Sequence, residues 1–399
     1  MGPFGCRRPT YSMSKRTVGI DIGSNQIKVV VAEEVRKGGR HIPKIVGTGF
    51  AESRGLRHGY IINGGDVRKS LESALTQAES AIADRIKSAY VSVGGVGLEE
   101  FRSRGEATIS RADFEVTDLD LEKAVQEAER AIEKKLLNRK ILHAIPLRHT
   151  LDGEEVLGRP QGLKGSRLSV EMLFITTLEQ HLADLIAVIE DAGVSVIDVT
   201  PAPLAASFIT LTRAQKMTGC VLANIGAETL SLAVFENNTP ISVKVFPMGA
   251  SDITNDIALG LKISLEDAEQ LKRGTLLGTG FSQKRLDDII QARLSDMLDL
   301  VEAHLVSIGK SGLLPAGIVI TGGGSGVATI EDLARNILKL PTRRASTLNI
   351  EGARVRDGAW AVAYGLCIWG MSNEPDSPLK EGARKLTAAV LNFVRRFLP

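Results

Sequence analysis

Residues 17–32 read TVGIDIGSNQIKVVVA: two apolar runs rich in β-branched side chains, pinched at Gly23-Ser24-Asn25. β-branched residues suit a pleated surface and small polar residues suit a reversal, so the stretch predicts a tight β-hairpin. A third strand is expected over 44–52. Beyond it, Val67, Leu71, Ala74, Leu75, Ala78 and Ile82 recur at helical spacing within 66–87, which predicts an amphipathic helix. The same order returns in the second half of the chain. Residues 219–235 read GCVLANIGAETLSLAVF, again two apolar strands around a small-residue turn, with a third strand over 241–247 and a helix after it. Asp21-Ile22-Gly23 falls on Asn224-Ile225-Gly226, so the chain reads as an internal duplication and predicts two related α/β lobes that face each other.

The rest of the chain is placed around these repeats. Residues 201–211 (PAPLAASFITL) and 357–370 (DGAWAVAYGLCIWG) are apolar and rich in Ala and Gly, and are expected to be helices that cross between the lobes. Residues 88–176 have no counterpart in the second half and are read as an inserted α+β subdomain. The helical, charged stretch 251–312 is read as the second lobe's own insertion. The first lobe is then 16–87 with 177–212 and a returning helix at 355–371, and the second is 213–250 with 313–354. Residues 1–15 read as a leader, with Met13 as an alternative start. Residues 372–383 (SNEPDSPLKEGA) read as a polar linker, and 384–399 as a terminal amphipathic helix.

Bulk composition narrows the function. A chain of 399 residues has room for two or more cores. A formal charge of +2 gives the whole molecule no field for polyanions, which excludes nucleic acid as the expected partner. Cys6, Cys220 and Cys367 are odd in number and widely spaced, a pattern that fits neither a disulfide framework nor a zinc site and suits a reducing cytoplasm. His143 and His149 share no helical face, so no metal pair is read there. No run of eighteen apolar residues occurs, so no spanning helix is expected.

The candidate chemistry lies in the turns. In the octapeptide from Asp21 to Lys28, a turn containing Gly23, Ser24 and Asn25 presents backbone N–H groups and a hydroxyl, and Lys28 stands on the adjoining strand. Backbone amides in a concave turn bind anions, Lys28 supplies a compact charge to β/γ phosphates, and Asp21 can hold Mg²⁺ through water. Taken alone the octapeptide also suits a plain hairpin. Its repetition, with Gly226 and Thr229 in the second turn, allows two hairpins to clamp a phosphate chain from opposite sides. A third element is IVITGGGSG over 318–326, a strand ending in Gly322-Gly323-Gly324 before a helix, where glycine lets backbone approach a ligand and leaves amides free. Glu269 and Lys272 share one helical face; they serve either as contacts to ribose and base or as an ion pair.

Taken in order, first phosphate turn, crossing helix, second phosphate turn, glycine loop and second crossing helix, these motifs resemble the superfamily of actin, sugar kinases and heat-shock ATPases. Within it the chain is similar to the FtsA family of bacterial cell-division proteins from about residue 16 to 399, supported by ILHAIPLRHTLDG and GLKGSRLSV in the inserted subdomain. The resemblance implies an α/β, ribonuclease-H-like duplicated, two-lobed ATPase fold of the actin type. It implies ATP and Mg²⁺ as cofactors, with Asp21, Gly23, Ser24 and Lys28 on the first phosphate loop. Gly226 and Thr229 fall on the second, and Gly322, Gly323 and Gly324 on the adenosine motif. It further implies head-to-tail polymerisation, contact with FtsZ through the second lobe's insertion, and recruitment of later division proteins. The expected location is the cytoplasmic face of the inner membrane at the division site.

Two departures bear on hydrolysis. The second turn has Asn224 and Ala227-Glu228 where active relatives of this superfamily carry Asp and consecutive glycines, so a Mg²⁺-facing carboxylate is lost and an anion is expected near phosphate. Ala202-Pro203 stands where hydrolysing relatives open the first crossing helix with Glu-Pro, so a residue that positions water is absent. The expectation is ATP binding with slow or negligible turnover. Two other functions fit parts of the pattern. A pilus-assembly adaptor shares the lobes and the inserted subdomain but is not expected to carry the linker and terminal helix. A sugar-kinase-like phosphotransferase needs a carboxylate base that no motif supplies.

Over residues 384–398, Leu386, Val390, Phe393, Val394 and Phe397 fall on one helical face, with Arg395 opposite and Arg396 flanking. Five cations within 380–399 stand against Glu381. A helix of this length spans roughly 22 Å, short of a roughly 30 Å hydrocarbon core, so it is expected to lie in the interface on anionic lipid.

Overall fold

The computed structural model describes residues 16–37, 40–275, 282–346 and 358–372. The leader and the terminal helix, and with them Leu386, Val390, Phe393, Val394, Arg395, Arg396 and Phe397, lie outside the described residues.

The first lobe opens with β1 (Arg16–Ile22), β2 (Gln26–Lys37) and β3 (Arg40–Glu52), an antiparallel meander. Two short strands, β4 (Leu56–Arg57) and β5 (Tyr60–Ile61), form a small hairpin before α1 (Gly64–Ile82). Asn63 caps α1 by accepting from the Asp66 N–H, and Val67, Leu71, Ala74, Leu75 and Ala78 face the sheet and are buried. The helix stops short of residue 87. Ala83 turns left-handed, and the Glu79 carboxylate takes the Ile86 N–H at 2.9 Å, which redirects the chain into the next strand.

That strand, β6 (Ser88–Val93), corrects the expected domain boundary. The stretch expected as inserted subdomain begins with this strand, but the strand pairs parallel with β1 and, with β11 (Ser195–Pro201), completes the first lobe's sheet in the order β11-β6-β1-β2-β3. The inserted unit begins after it. β7 (Glu99–Thr108), α2 (Asp118–Ala131), β8 (Arg139–Leu151), β9 (Glu154–Val156) and β10 (Arg167–Leu178) make a separate antiparallel sheet, ordered β7-β10-β8-β9. Ala124, Val125 and Ala128 of α2 seal that sheet's core against Met172 and Phe174. The chain then returns to the first lobe through α3 (Glu179–Asp191) and β11 (Ser195–Pro201), which pairs parallel with β6.

α4 (Ala202–Thr210) and α5 (Arg213–Thr218) lead into the second lobe. β12 (Cys220–Ile225), β13 (Leu230–Glu236) and β14 (Thr239–Phe246) repeat the meander. α6 (Ala250–Leu261), α7 (Leu265–Lys272) and α8 (Gln283–Ser307) follow, then β15 (Ile318–Thr321), α9 (Ile330–Leu338) and β16 (Thr342–Arg344). The sheet order β14-β13-β12-β15-β16 is that of the first lobe: a three-stranded antiparallel meander extended by two parallel strands. The helical stretch 251–312 is not a detached module. Ile253, Ile257, Leu294, Met297 and Val301 share one core with Val221, Leu232 and Ile318 of the sheet.

α10 (Ala361–Ser372) returns to the first lobe and runs one residue into the stretch expected as linker. It is apolar on every side and buried almost throughout, because it packs between the first sheet and α4. Gly365 is required at the crossing: a Cβ there would lie 1.8 Å from the Ala205 carbonyl oxygen. Trp369 is 1% exposed and donates its indole N–H to Asp198 at 3.0 Å; burial of such a side chain contributes on the order of 3 kcal/mol. The inserted unit reaches the second lobe through Glu100 on β7, whose carboxylate accepts from Ser242 Oγ at 2.8 Å and from the Val243 N–H at 2.5 Å on β14. Among the described residues no helix is long and apolar enough to cross a membrane.

Candidate functional site

The two meanders end in turns of the same construction. In the first lobe, Ile22 pairs with Ile27 and the Gly23 N–H closes the turn on the Gln26 carbonyl at 3.2 Å. In the second, Ile225 pairs with Leu230 and the Gly226 N–H closes on the Thr229 carbonyl at 2.8 Å. Both turns, with the loop after β15, open on a single cavity of about 660 Å³ between the lobes, within the size range of small-molecule sites. All twelve residues singled out for binding, Asp21, Gly23, Ser24, Asn25, Lys28, Gly226, Thr229, Glu269, Lys272, Gly322, Gly323 and Gly324, line it.

Charge enters from both lobes, at Asp21 and Lys28 of the first and at Glu269, Lys272 and Arg273 of the second, but of the paired strand positions beside the two turns only the first lobe's are charged. Asp21 and Lys28 are register partners on adjacent strands, and Ser92 at the end of β6 donates to Asp21 Oδ1 at 2.8 Å. Burial pushes the Asp21 carboxyl above its ordinary range, while Lys28 and the Ser92 hydroxyl pull it back. The second lobe places Asn224 opposite Ser231 at the matching positions, so it brings neither a carboxylate nor an ammonium there. Asn224 also lines the cavity. Gly322 has φ of 90°, and a Cβ there would lie 2.4 Å from the Ile225 carbonyl oxygen and 2.5 Å from Asn224 Oδ1. Only glycine lets the loop after β15 close against the second turn.

Glu269 and Lys272 form an ion pair at 2.6 Å on the cavity wall rather than a pair in bulk solvent, with the lysine side chain 10% exposed. Lys272 Nζ also donates to the Ala250 carbonyl at 3.0 Å and to Thr254 Oγ1 at 2.7 Å, tying α7 to the first two turns of α6. Burial alone would raise the Glu269 carboxyl, but hydrogen bonds from Lys272, Thr254 and Arg273 outweigh it and hold it down at about 2. The carboxylate therefore stays charged and acceptor-only over the whole physiological range.

One expectation needs correction. Glu228 was expected to place an anion near phosphate, yet its carboxylate turns across the cleft to the first lobe, where Oε2 accepts the His58 backbone N–H at 2.5 Å. His58 Nδ1 lies 3.2 Å from the Glu228 carbonyl oxygen in return. Asp21 keeps its place on the wall as a candidate Mg²⁺ holder. Among the described residues no group of three or more His, Cys, Asp or Glu forms a metal cage, so a cation there would rely on Asp21, on water and on the phosphate oxygens of a ligand, as Mg²⁺ commonly does.

Other lining residues were missed by sequence reading: Ser92 in β6 with Gly94 and Gly95 after it, Gly59 between β4 and β5, His181 and Leu185 on α3, and Arg273 after α7. The signal for Ser92, Gly94 and Gly95 was available. Ser-Val-Gly-Gly at 92–95 ends a strand parallel to β1 as Thr-Gly-Gly-Gly at 321–324 ends one parallel to β12. His181 is buried and its Nδ1 has no protein partner. Burial lowers its pKa, partly offset by a hydrogen bond with Gly94 and by Asp184. Ala202, the first residue of α4, lines the cavity with no acid or base to offer.

Comparison with known proteins agrees with this layout. The family model of "Cell division protein FtsA" matches residues 221–365, and that of the "SHS2 domain inserted in FTSA" matches residues 95–176, which begins just after β6. The chain is 30% identical over 377 residues to Cell division protein FtsA of Bacillus subtilis, covering 89% of this chain and 83% of the relative. Among solved structures it is similar to the PilM–PilN type IV pilus biogenesis complex, with a TM-score of 0.67, 17% identity and coverage of 90% and 99% of the two chains. It is also similar to MreB5 of Spiroplasma citri bound to AMPPNP, with a TM-score of 0.51, 13% identity and coverage of 90% and 96%. The structural likenesses show an actin-like fold. With that fold, the inserted domain and a relative aligned over most of both chains, the protein belongs to the FtsA family of cell division proteins.

Proposed function

We propose that this chain binds ATP with Mg²⁺ between its lobes, assembles head to tail, and tethers the FtsZ ring to the cytoplasmic face of the inner membrane at the division site. The observation that carries the nucleotide part is the convergence of both hairpin turns and the Gly322-Gly323-Gly324 loop on one cavity, with Lys28 in its wall. In this reading the turn amides and Lys28 take the phosphates, Asp21 holds the cation through water, and the glycine loop with Glu269 and Lys272 takes the nucleoside. The related fold of MreB5, described with a bound ATP analogue, supports the same use of the cleft. Bound Mg²⁺ would neutralise phosphate charge. Slow or negligible hydrolysis is part of the proposal, because Ala202 and Asn224 supply no carboxylate at the two places where one would act.

Membrane attachment rests on the sequence of 384–399, whose apolar stripe and flanking cations suit an interfacial helix. One such helix binds reversibly, so assembly and attachment reinforce each other through avidity. Contact with FtsZ, through 251–312, and with later division proteins follows from the family. Two measurements test the proposal. Titration of the purified chain with a fluorescent ATP analogue and Mg²⁺ is expected to saturate and to be reversed by ATP; absence of binding at millimolar ATP overturns the nucleotide reading. Phe393→Glu is expected to release the chain from anionic vesicles in a sedimentation assay, and unchanged sedimentation overturns the anchor.

A further inference from the structure

We propose that Glu228 and His58 form a clasp between the lobes that gates entry to and exit from the cavity; this rests on the nucleotide reading given above. The contact is reciprocal. Glu228 Oε2 accepts the His58 N–H at 2.5 Å, and His58 Nδ1 meets the Glu228 carbonyl oxygen at 3.2 Å. Both ends are rigid. The turn holding Glu228 is fixed to the second lobe, because the Gly226 and Ala227 carbonyls accept the first N–H groups of α6, Ala250 at 2.9 Å and Ser251 at 2.8 Å. The turn holding His58 is wedged against the loop after β6: the His58 carbonyl accepts the Val96 N–H at 3.3 Å, and Gly59 packs on Gly95. His58 itself sits at φ of 48°, a left-handed conformation that a non-glycine residue holds only when its surroundings impose it. That conformation is part of how its N–H is presented to the other lobe.

The position of the clasp defines its role. Gly59 beside His58, and Ala227 and Thr229 on either side of Glu228, line the cavity. The clasp therefore stands on the rim, bridging the lobes where their walls come together. α4 leads from the first lobe into the second and α10 packs against α4 on the first lobe's sheet, so any opening about that pair of helices separates the 57–60 turn from the 226–229 turn and breaks the clasp. A charge-assisted hydrogen bond in a partly dry cleft resists that motion more than a neutral one. Glu228 is thus used for retention, not for chemistry on the phosphates.

The test uses the full-length chain with Mg²⁺ and a fluorescent ATP analogue chased by excess ATP in a stopped-flow instrument. Glu228→Ala is expected to speed dissociation about tenfold, with association faster as well, so that Kd shifts less than either rate. Glu228→Gln keeps the shape and a neutral acceptor and is expected to give a smaller increase; it carries the test should Glu228→Ala fail to fold. His58→Ala keeps the backbone N–H, so its effect is expected to be smaller than that of Glu228→Ala. Hydrogen exchange supplies the independent readout: without nucleotide, the His58 amide is expected to lose protection in Glu228→Ala. Protection that does not change overturns the clasp. A variant that binds the analogue, has lost protection at His58 and releases no faster overturns the gate alone. A wild-type chain that binds no ATP analogue overturns the nucleotide reading, and the gate with it.

Discussion

The turn at 22–27 and the turn at 225–230 share a backbone and divide the work. Each joins the first two strands of a meander, each is closed by a glycine N–H on a carbonyl three residues on, and each borders the same cavity. Their side chains differ at every charged position. The first lobe has Asp21 facing Lys28; the second has Asn224 facing Ser231. The second instead puts Glu228 across the cleft and uses its own carbonyls to receive the N-terminus of α6. A duplicated fold supplies two equivalent frames; in the function proposed above, the first turn carries the charge offered to a triphosphate and the second is left to serve closure.

Removing the charge is the most direct way to break this division. Lys28→Met is expected to weaken binding of the ATP analogue roughly 30- to 150-fold, the equivalent of about 2 to 3 kcal/mol for a hydrogen bond to a charged group. Ser231→Ala at the matching position is expected to change it by less than about twofold. Lys28 is also the partner of Asp21, so loss of fold has to be separated from loss of binding. Asp21→Asn with Lys28→Met is expected to recover thermal stability without recovering affinity. Equal losses at Lys28 and Ser231 would mean that the lobes contribute alike.

The next effect reads the backbone rather than the charges. Gly322→Ala forces a Cβ onto the Ile225 carbonyl and the Asn224 side chain at a φ that L-residues avoid. It is expected to cost about 2 kcal/mol or more of stability by denaturant unfolding. Gly326→Ala, in the same loop but with nothing within 4 Å of its Cβ, is expected to be near neutral. A smaller effect restores symmetry. Asn224→Asp gives the second turn the carboxylate that the first has in Asp21, and is expected to raise the ratio of ATP affinity in Mg²⁺ to that in EDTA about fivefold, near 1 kcal/mol. No change in that ratio would show that position 224 does not face the cation.

What the sequence made legible, and what it hid, follows the range of the interactions. Both hairpins could be read because a reversal is coded within a few residues, by β-branched runs and a small-residue turn. The crossing helices could be read because 201–211 and 357–370 are apolar on every side. The membership of β6 could not be read locally. A parallel neighbour of β1 more than sixty residues away leaves no periodic mark that separates it from a strand of the inserted sheet. Placing it there hid Ser92, Gly94 and Gly95, so one missed pairing accounts for both errors. Glu228 was misjudged for a related reason: its direction depends on how closely the first lobe's 57–60 turn approaches, which nothing near residue 228 encodes. His181 needed the docking of α3 against Gly94, again a tertiary fact.

The smallest expected effect tests whether a titratable group of the second lobe that lies outside the cavity acts independently of it. His304 on α8 lies 2.8 Å from Ser242 Oγ, which also donates to Glu100 of the inserted unit. A hydroxyl has one proton, so with Ser242 donating to Glu100, His304 Nε2 has to be the donor to Ser242. Burial, then Lys244 and Arg102, lower the imidazole from 6.5 to about 4. Between those values the unfolded chain binds the proton that the folded one refuses, so stability falls as pH falls through the window from 6.5 to 4. Burial also raises Glu100, despite hydrogen bonds from Val243 and Ser242, which acts in the opposite direction at the acid end. His304→Gln retains a donor for Ser242 without the titration. It is expected to remove on the order of 1 kcal/mol of acid sensitivity between pH 6.5 and 5, after allowance for solvent screening. Because this joint lies away from the cavity, the difference between wild type and variant is expected to be the same with and without ATP; a difference that changed with nucleotide would couple the inserted unit to the cleft and end the division of labour between the lobes.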